Sequence, residues 1–315
     1  MQGLKKYIIF IAAFQSAFAF AQDDLLSLVE DPKEEASKKV YATFKTVKIG
    51  NAQTIECVKK NHLDFRISHR FGNIYDADLK NPINETFQTF LGFDNANDIR
   101  VSLDYGITDK ITVGLARSKF NRLVDGTFKW RILTQTADFK IPVSLALFES
   151  VGYSHLPTNQ LYGGVEKNFK TNELHRFNYF TQLIIASKLN DWISLEILPS
   201  YIHRNFIRES INTYNNSLDQ NGFATIGFGG RVKLTSRLSV IGDYFYNVSP
   251  FFTKNPSAKN PLSLGVELET GGHVFSLFFT NAGALVENNF IPYTTDSWAK
   301  GQVKFGFCIS RTFAL

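Results

Sequence analysis

Apolar and polar residues alternate along most of the chain after residue 61. In the stretch HLDFRISHRF, from His62 to Phe71, aliphatic and aromatic residues occupy the odd positions, with charged residues at 64, 66 and 70. A β-strand points successive side chains to opposite faces, so this pattern predicts a strand with one apolar and one polar face. Further strands are predicted at 98–107, 110–118, 127–133, 142–151, 176–187, 192–204, 222–234, 238–248, 262–268, 273–280 and 300–313. The alternation is weaker at the four stretches between 142 and 234. The prediction is therefore about twelve strands, within a range of about ten to fourteen.

The connections between these strands alternate between long and short. The long ones are 72–97, 119–126, 152–175, 205–221, 249–261 and 281–297, and the short ones are 106–109, 135–141, 188–191, 235–237 and 269–272. Bacterial outer-membrane barrels segregate their connections in this way, with long extracellular loops and short periplasmic turns. A secreted β-sandwich, the main alternative, has no reason to do so.

A membrane setting also explains the two faces of the strands. After the N-terminal region no apolar run approaches the roughly 18 residues that a spanning helix needs, although 30 residues are Phe. Strands can cross a bilayer only if every backbone edge is paired, which requires closure. The sequence thus predicts an all-β fold, a closed antiparallel transmembrane up-and-down β-barrel. Its polar face supplies candidate lumen-lining residues, namely Asp64, Arg66, Arg70, Arg100, Asp104, Asp243, Glu267 and Lys304.

The N-terminal region divides into two parts. Basic residues at 5 and 6, an apolar run at 7–14 and the triplet Ala19-Phe20-Ala21 predict a signal peptide over 1–21. Residues 22–61 then form a periplasmic N-terminal segment that is a candidate plug for the lumen, and residues 62–315 form the barrel. Within that segment Gly50-Asn51 predicts a small hairpin between 40–44 and 54–58.

The expected surroundings follow from export and from charge. The formal net charge of +5 is mild and no concentrated basic run is present, which argues against nucleic acid as a partner. The expected location is the outer membrane, with the lipid bilayer as partner and the N-terminus in the periplasm. The last strand carries Phe313 near its end, similar to the C-terminal signal that the barrel-assembly machinery recognises.

Two signatures resemble a known family. One is LDFRISHRFG over 63–72, and the other runs from FLGFDNAN at 90–97 through DYGITD at 104–109 to Val113-Gly114. Together they resemble an uncharacterised family of outer-membrane β-barrel proteins of Bacteroidota, from about Phe44 to the C-terminus. The resemblance implies a barrel in the outer membrane and carries over no substrate and no catalytic residues.

Chemistry-bearing residues are few and scattered. The six histidines match no metal-binding spacing, so we expect no metal, no cofactor and no enzymatic activity. His69 and His203 near strand ends are the only candidates for a hydrolase site at the rim. Asp76, Asp78, Asp94 and Asn95 could attract a cation, but their spacing fits no EF-hand loop and solvated acids are the better explanation. Cys57 and Cys308 either form a disulfide that pins the N-terminal segment in the lumen or remain free thiols.

These features leave three functions open. The first is a narrow channel or passive transporter for an unidentified small solute. The second is a non-conducting structural or partner-docking barrel. The third is a transporter of hydrophobic compounds in which residues 22–61 act as a hatch. Eight strands already fill with side chains whereas sixteen leave an aqueous channel, so the predicted strand number does not choose among them.

Overall fold

The computed structural model describes residues 39–40, 42–165 and 170–315. The predicted signal peptide, 1–21, lies outside the described residues. No helix within these ranges is long and apolar enough to cross a membrane.

The described residues contain one closed barrel of twelve antiparallel strands. Two short strands come first, β1 at Lys48–Ile49 and β2 at Ala52–Gln53. The barrel strands are β3 His62–Asn73, β4 Ala96–Thr108, β5 Ile111–Ser118, β6 Leu123–Leu133, β7 Ser144–Ser154, β8 Phe177–Lys188, β9 Ile193–Arg204, β10 Gly222–Lys233, β11 Leu238–Val248, β12 Leu262–Glu269, β13 Val274–Thr280 and β14 Lys304–Ala314. Each pairs with the next in sequence, and β14 pairs with β3 with Ile309 opposite Ile67. The predicted fold is confirmed.

The outward faces of the strands carry exposed apolar side chains. They include Ile67, Val101, Leu103, Leu115, Phe128, Leu195, Ile197, Phe228, Val240, Leu264, Leu277 and Phe279, which we call the lipid belt. A soluble monomer rarely exposes a contiguous apolar surface of this extent, because contact with water is unfavourable by roughly 25 cal/mol per Å². The belt therefore requires a lipid environment.

A cation placed in the lipid belt tests this orientation. We expect Val101→Arg to lower the free energy of unfolding by about 2–4 kcal/mol, because the guanidinium must then lie against hydrocarbon. The measurement is a urea titration of the barrel in lipid vesicles. Ile211→Arg is the matched control, because Ile211 is also exposed but lies in the connection between β9 and β10. Equal losses for the two variants would contradict the assignment of the belt.

The connections gather by length at the two ends of the barrel. At one end, the loop end, lie the long connections with helices α1 (Pro82–Gln88), α2 (Thr158–Tyr162) and α3 (Glu287–Tyr293). The other, the turn end, has short turns except for residues 134–143. One predicted loop, 119–126, is shorter than expected because β6 begins at Leu123. The rest of the predicted alternation agrees with the structure.

The N-terminal hairpin forms at the predicted turn but with different strands. Among the described residues of this region, Lys48–Ile49 and Ala52–Gln53 pair, and residues 42–44 and 54–58 are not strands. Gly50 has a φ of +47°, and a Cβ there would lie 2.3 Å from an Asp243 carboxylate oxygen, so both conformation and space favour glycine. The residues on either side of the hairpin form a different set of hydrogen bonds. The Glu56 carboxylate accepts the backbone N–H groups of Thr43 and Phe44.

The occupied lumen as candidate functional site

Residues 42–61, which we call the inner segment, lie against inward-facing side chains around the barrel. Asn51 connects it to two strands of the wall. The Asn51 backbone N–H and side-chain amide donate to the Asp243 carboxylate at 2.8 and 3.1 Å. Its amide oxygen accepts from the Arg70 guanidinium at 2.6 Å. Since Arg70 lies on β3 and Asp243 on β11, one buried side chain joins two separate parts of the wall.

The Lys129 side chain holds the backbone of the inner segment. From β6 its ammonium donates to the carbonyl oxygens of Val47, Thr54 and Glu56 at 3.0, 2.9 and 3.3 Å. On β9 the Ser194 hydroxyl donates to the Thr43 carbonyl oxygen at 2.6 Å. Buried backbone carbonyls need such partners, because leaving one unsatisfied costs roughly 1–3 kcal/mol. The inner segment is thus held by wall side chains as well as by its own short hairpin.

A second stretch also crosses the lumen. We call residues 281–303, between β13 and β14, the inner loop. The Leu285 backbone N–H donates to Asp98 on β4 at 2.9 Å, and Asn288 donates to Asn178 on β8 at 2.5 Å. The Ile291 carbonyl oxygen accepts from Asn247 on β11 at 3.2 Å. Contacts with strands so far apart around the barrel place this stretch inside it. The sequence assigned 281–297 to an external loop, and for the buried residues 284–292 that expectation is wrong.

The inner segment and the inner loop meet at a buried ion pair. Lys48 donates to the Glu287 carboxylate at 2.7 Å and to the Leu285 carbonyl oxygen at 3.0 Å. Gln53 donates to the same carboxylate at 3.2 Å. Beside this junction, a cavity of about 40 Å³ is lined by Lys48, Arg66, Arg100, Asp104 and Lys129 among others. Such a volume holds water but no larger solute.

All eight candidate lumen residues have inward-facing side chains. Asp64 pairs with Arg66 at 3.1 Å, and Arg70 and Asp243 contact Asn51. Arg100 pairs with Asp125, Glu267 with Arg231, and Lys304 with Asp296. Asp104 lines the small cavity. Buried charges are tolerated when they are paired, and the lumen supplies these partners.

The inner wall is polar on one side and apolar on the other, whereas the strand pattern predicted a polar face throughout. From β7 to β11 the inward residues include Phe148, Phe180, Ile184, Leu198, Ile202, Phe223, Ile241 and Phe245. Phe44, Ile49 and Ile55 of the inner segment and Phe290 and Ile291 of the inner loop pack into the same cluster. The weak alternation between 142 and 234 was the sequence signal for this apolar side, because several of those strands are apolar on both faces.

Cys57 and Cys308 are free thiols in the structure. The Cys57 sulfur lies 3.4 Å from the Lys110 carbonyl oxygen, and the Cys308 sulfur accepts from Ser68 at 3.3 Å. The disulfide that the sequence left open is therefore not formed here. Intact-mass analysis before and after thiol alkylation is its test.

The two rim histidines lie on the outer face of the barrel. The ring of His69 stacks on Phe307, with 5.6 Å between centroids, and that of His203 lies 6.3 Å from Tyr179. Neither belongs to the occupied lumen. Among the described residues, no group of three or more His, Cys, Asp or Glu is placed to hold a metal ion.

A wider cavity of about 530 Å³ opens at the loop end, and we call it the mouth. Two of the acids that were candidate cation ligands, Asp76 and Asp78, take part in contacts between two loops at this end. Asp78 accepts from Lys300 at 2.7 Å, and Asp76 accepts from Gln302 at 2.8 Å. The hydrogen bond from Lys300 lowers the pKa of Asp78, so this contact persists to a lower pH than that of an ordinary aspartate.

Closed strands with an apolar exterior define a membrane-spanning β-barrel, here with an occupied lumen that is polar on one side. The chain matches the family described as "Membrane bound beta barrel domain (DUF5777)" over residues 44–313. It belongs to that family, and the predicted membership of an uncharacterised outer-membrane barrel family is confirmed. The bilayer is therefore a partner of this chain.

Two solved porin structures are similar to this chain at a low level. The NanC porin is 7% identical, with a TM-score of 0.45, over 80% of this chain and 100% of that one. The KdgM porin is also 7% identical, with a TM-score of 0.43, over 80% and 99% of the two chains. No curated protein matches the chain.

Proposed function

We propose that this protein is an outer-membrane channel for a small solute, and that the inner segment and the inner loop hold it closed. The observation that carries the proposal is the Lys48–Glu287 pair, which joins two stretches inside the barrel that are not part of its wall. A barrel of this size is wider than one that side chains alone fill, and here chain segments occupy the additional space. Displacement of the inner segment opens a path between the two ends.

The connectivity of the chain supports displacement of the inner segment. It precedes β3, the first wall strand, and leads into it at the turn end. Withdrawal therefore leaves the pairing of β3 with β14 and β4 intact. The inner loop is anchored at both ends, by β13 and β14, so the inner segment is the more readily moved of the two.

The orientation of the barrel in the outer membrane is part of this proposal. Short turns face the periplasm in outer-membrane barrels and long loops face outward, which puts the N-terminus and the inner segment on the periplasmic side. The domain division then reads as a signal peptide over 1–21, a plug over 22–61 and the barrel over 62–315. Phe313 near the end of β14 supports recognition by the barrel-assembly machinery. No catalytic step is part of the proposal.

A second candidate is a non-conducting barrel that docks a partner. The apolar cluster favours it, because Phe44, Ile49 and Ile55 are buried against the wall. Burying each such side chain stabilises by roughly 1.5–3 kcal/mol, so a permanently filled lumen is physically reasonable. The two candidates differ in one respect, which is whether the inner segment leaves the lumen.

Liposome swelling distinguishes them. The mature chain and a chain lacking residues 22–61 are refolded into vesicles and exposed to neutral sugars of increasing size. We expect slow swelling with the mature chain and fast, size-limited swelling with the truncated chain. A shift in electrophoretic mobility on heating checks that both barrels have folded. If the folded truncated barrel passes no sugar, the channel proposal is wrong and the docking barrel is favoured.

A further inference from the structure

The loop between β3 and β4 displays an unpartnered apolar face. Ile83, Phe87 and Phe90, in and just after α1, are 67%, 76% and 68% exposed. The i, i+4 spacing of Ile83 and Phe87 places these two on one side of α1, and Phe90 follows just after its C-terminal end. Phe90 and the following Leu91 have positive φ values of 47° and 57°, a conformation that is costly for bulky residues. The chain adopts it while leaving both side chains exposed.

The opposite side of the same stretch faces the mouth. Pro82, Glu85, Thr86 and Thr89 line the cavity there, together with Lys304 of β14. The apolar face therefore points away from the mouth and toward the outside of the barrel. An occupant that covers it must approach from the outer surface.

The apolar face is continuous with the lipid belt through aromatic contacts. The Phe90 ring lies 6.0 Å from that of Phe93, and Phe93 lies 4.8 Å from Phe71 and 5.6 Å from Phe305. Phe305 in turn lies 5.8 Å from Phe279, a member of the lipid belt. These residues join the loop to a surface that already requires lipid.

We propose that the 83–90 face lies in the lipid leaflet at the loop end of the barrel and anchors this loop to the membrane. Aromatic side chains favour the membrane–water interface, and an amphipathic helical stretch there buries its apolar side at the boundary of headgroups and acyl chains. The occupant is the acyl region of that leaflet. Glu85 and Thr86 stay in water above the mouth, so the anchor fixes one wall of the mouth relative to the membrane surface.

Site-directed spin labelling of the full mature chain in phosphatidylcholine vesicles tests this assignment. Cys57→Ser and Cys308→Ser first remove the native thiols, and Phe87→Cys then provides a single labelling site. Glu85→Cys, on the mouth side of the same helix, is the matched control. Collision rates with dissolved oxygen, which concentrates in lipid, are compared with those of a water-soluble nickel chelate.

We expect the oxygen-to-nickel collision ratio to be several-fold higher for the label at 87 than for the label at 85. Phe90→Cys provides a second site with the same expectation, in case one variant fails to fold. Equal ratios at the lipid-side and mouth-side positions would overturn the proposal. Dipolar broadening that disappears on dilution with unlabelled protein would also overturn it, because the face would then contact a second copy of the chain. Conductance plays no part in this measurement, so its outcome is independent of the channel proposal.

Discussion

Replacing Glu287 by Leu is expected to release the inner segment from the lumen. Within the part of the chain that the structure describes, the Lys48 ammonium would then keep only the Leu285 carbonyl oxygen as a hydrogen-bond partner. Removing one partner of a buried ion pair costs about 3–5 kcal/mol, because the remaining charge stays buried without compensation. The measurement is hydrogen exchange by mass spectrometry on peptides covering residues 45–56. Since each 1.4 kcal/mol is tenfold, amide protection there should fall by about two to four orders of magnitude.

The double variant Lys48→Met/Glu287→Leu supplies the internal control. Replacing both partners with apolar residues is often close to neutral, so much of the protection should return. Lys45→Ala is the matched control, because Lys45 pairs with Glu269 where both side chains are about one third exposed, and such pairs contribute roughly 0–1 kcal/mol. Protection in Glu287→Leu equal to that in Lys45→Ala would contradict the role of the junction.

The second large effect is expected at Asn51. Asn51→Ala removes the hydrogen bond to Arg70, which is 0% exposed and whose Nε and one terminal nitrogen already have no hydrogen-bond partner. It also removes the side-chain donor to Asp243. Hydrogen bonds to charged groups contribute about 1.5–3 kcal/mol each, so we expect docking of the inner segment to weaken by about 3 kcal/mol.

The same exchange experiment measures this change, and it should be local. Peptides from the inner segment lose protection, whereas those from barrel strands such as β8 keep theirs, since wall pairing does not depend on Asn51. Gln53→Ala serves as the comparison, because Gln53 makes one 3.2 Å bond to Glu287 and should weaken docking less. Uniform loss of protection across the whole barrel would show instead that Asn51 stabilises the wall.

The wall of the barrel could be predicted from the sequence because each strand and each connection has its own local sequence pattern. Alternation with a period of two follows from strand geometry, and the lengths of connections follow from the two ends of a barrel. The strand predicted at 238–248 has the same bounds as β11. Even β7 and β8 were found, although Phe148 and Phe180 make their inner faces apolar.

The contents of the lumen were harder to predict, because they depend on contacts between residues far apart in the chain. Lys48 and Glu287 are 239 positions apart, and nothing local in either stretch indicates the other. A weak signal existed in the run Ala282-Gly-Ala-Leu-Val and in Phe290-Ile-Pro, which are unusually small or apolar for an exposed loop. Charged strand positions pointed to a polar interior, but they could not show that most charges find partners within the wall.

The central claim is that the lumen is closed by the inner segment and opens when that segment leaves. Single-channel conductance in a planar bilayer tests it most directly, with the mature chain and the chain lacking residues 22–61 measured under the same salt and voltage. We expect the mature chain to be closed with rare openings and the truncated chain to conduct steadily. Two folded proteins that never conduct, or two that conduct equally, would contradict it.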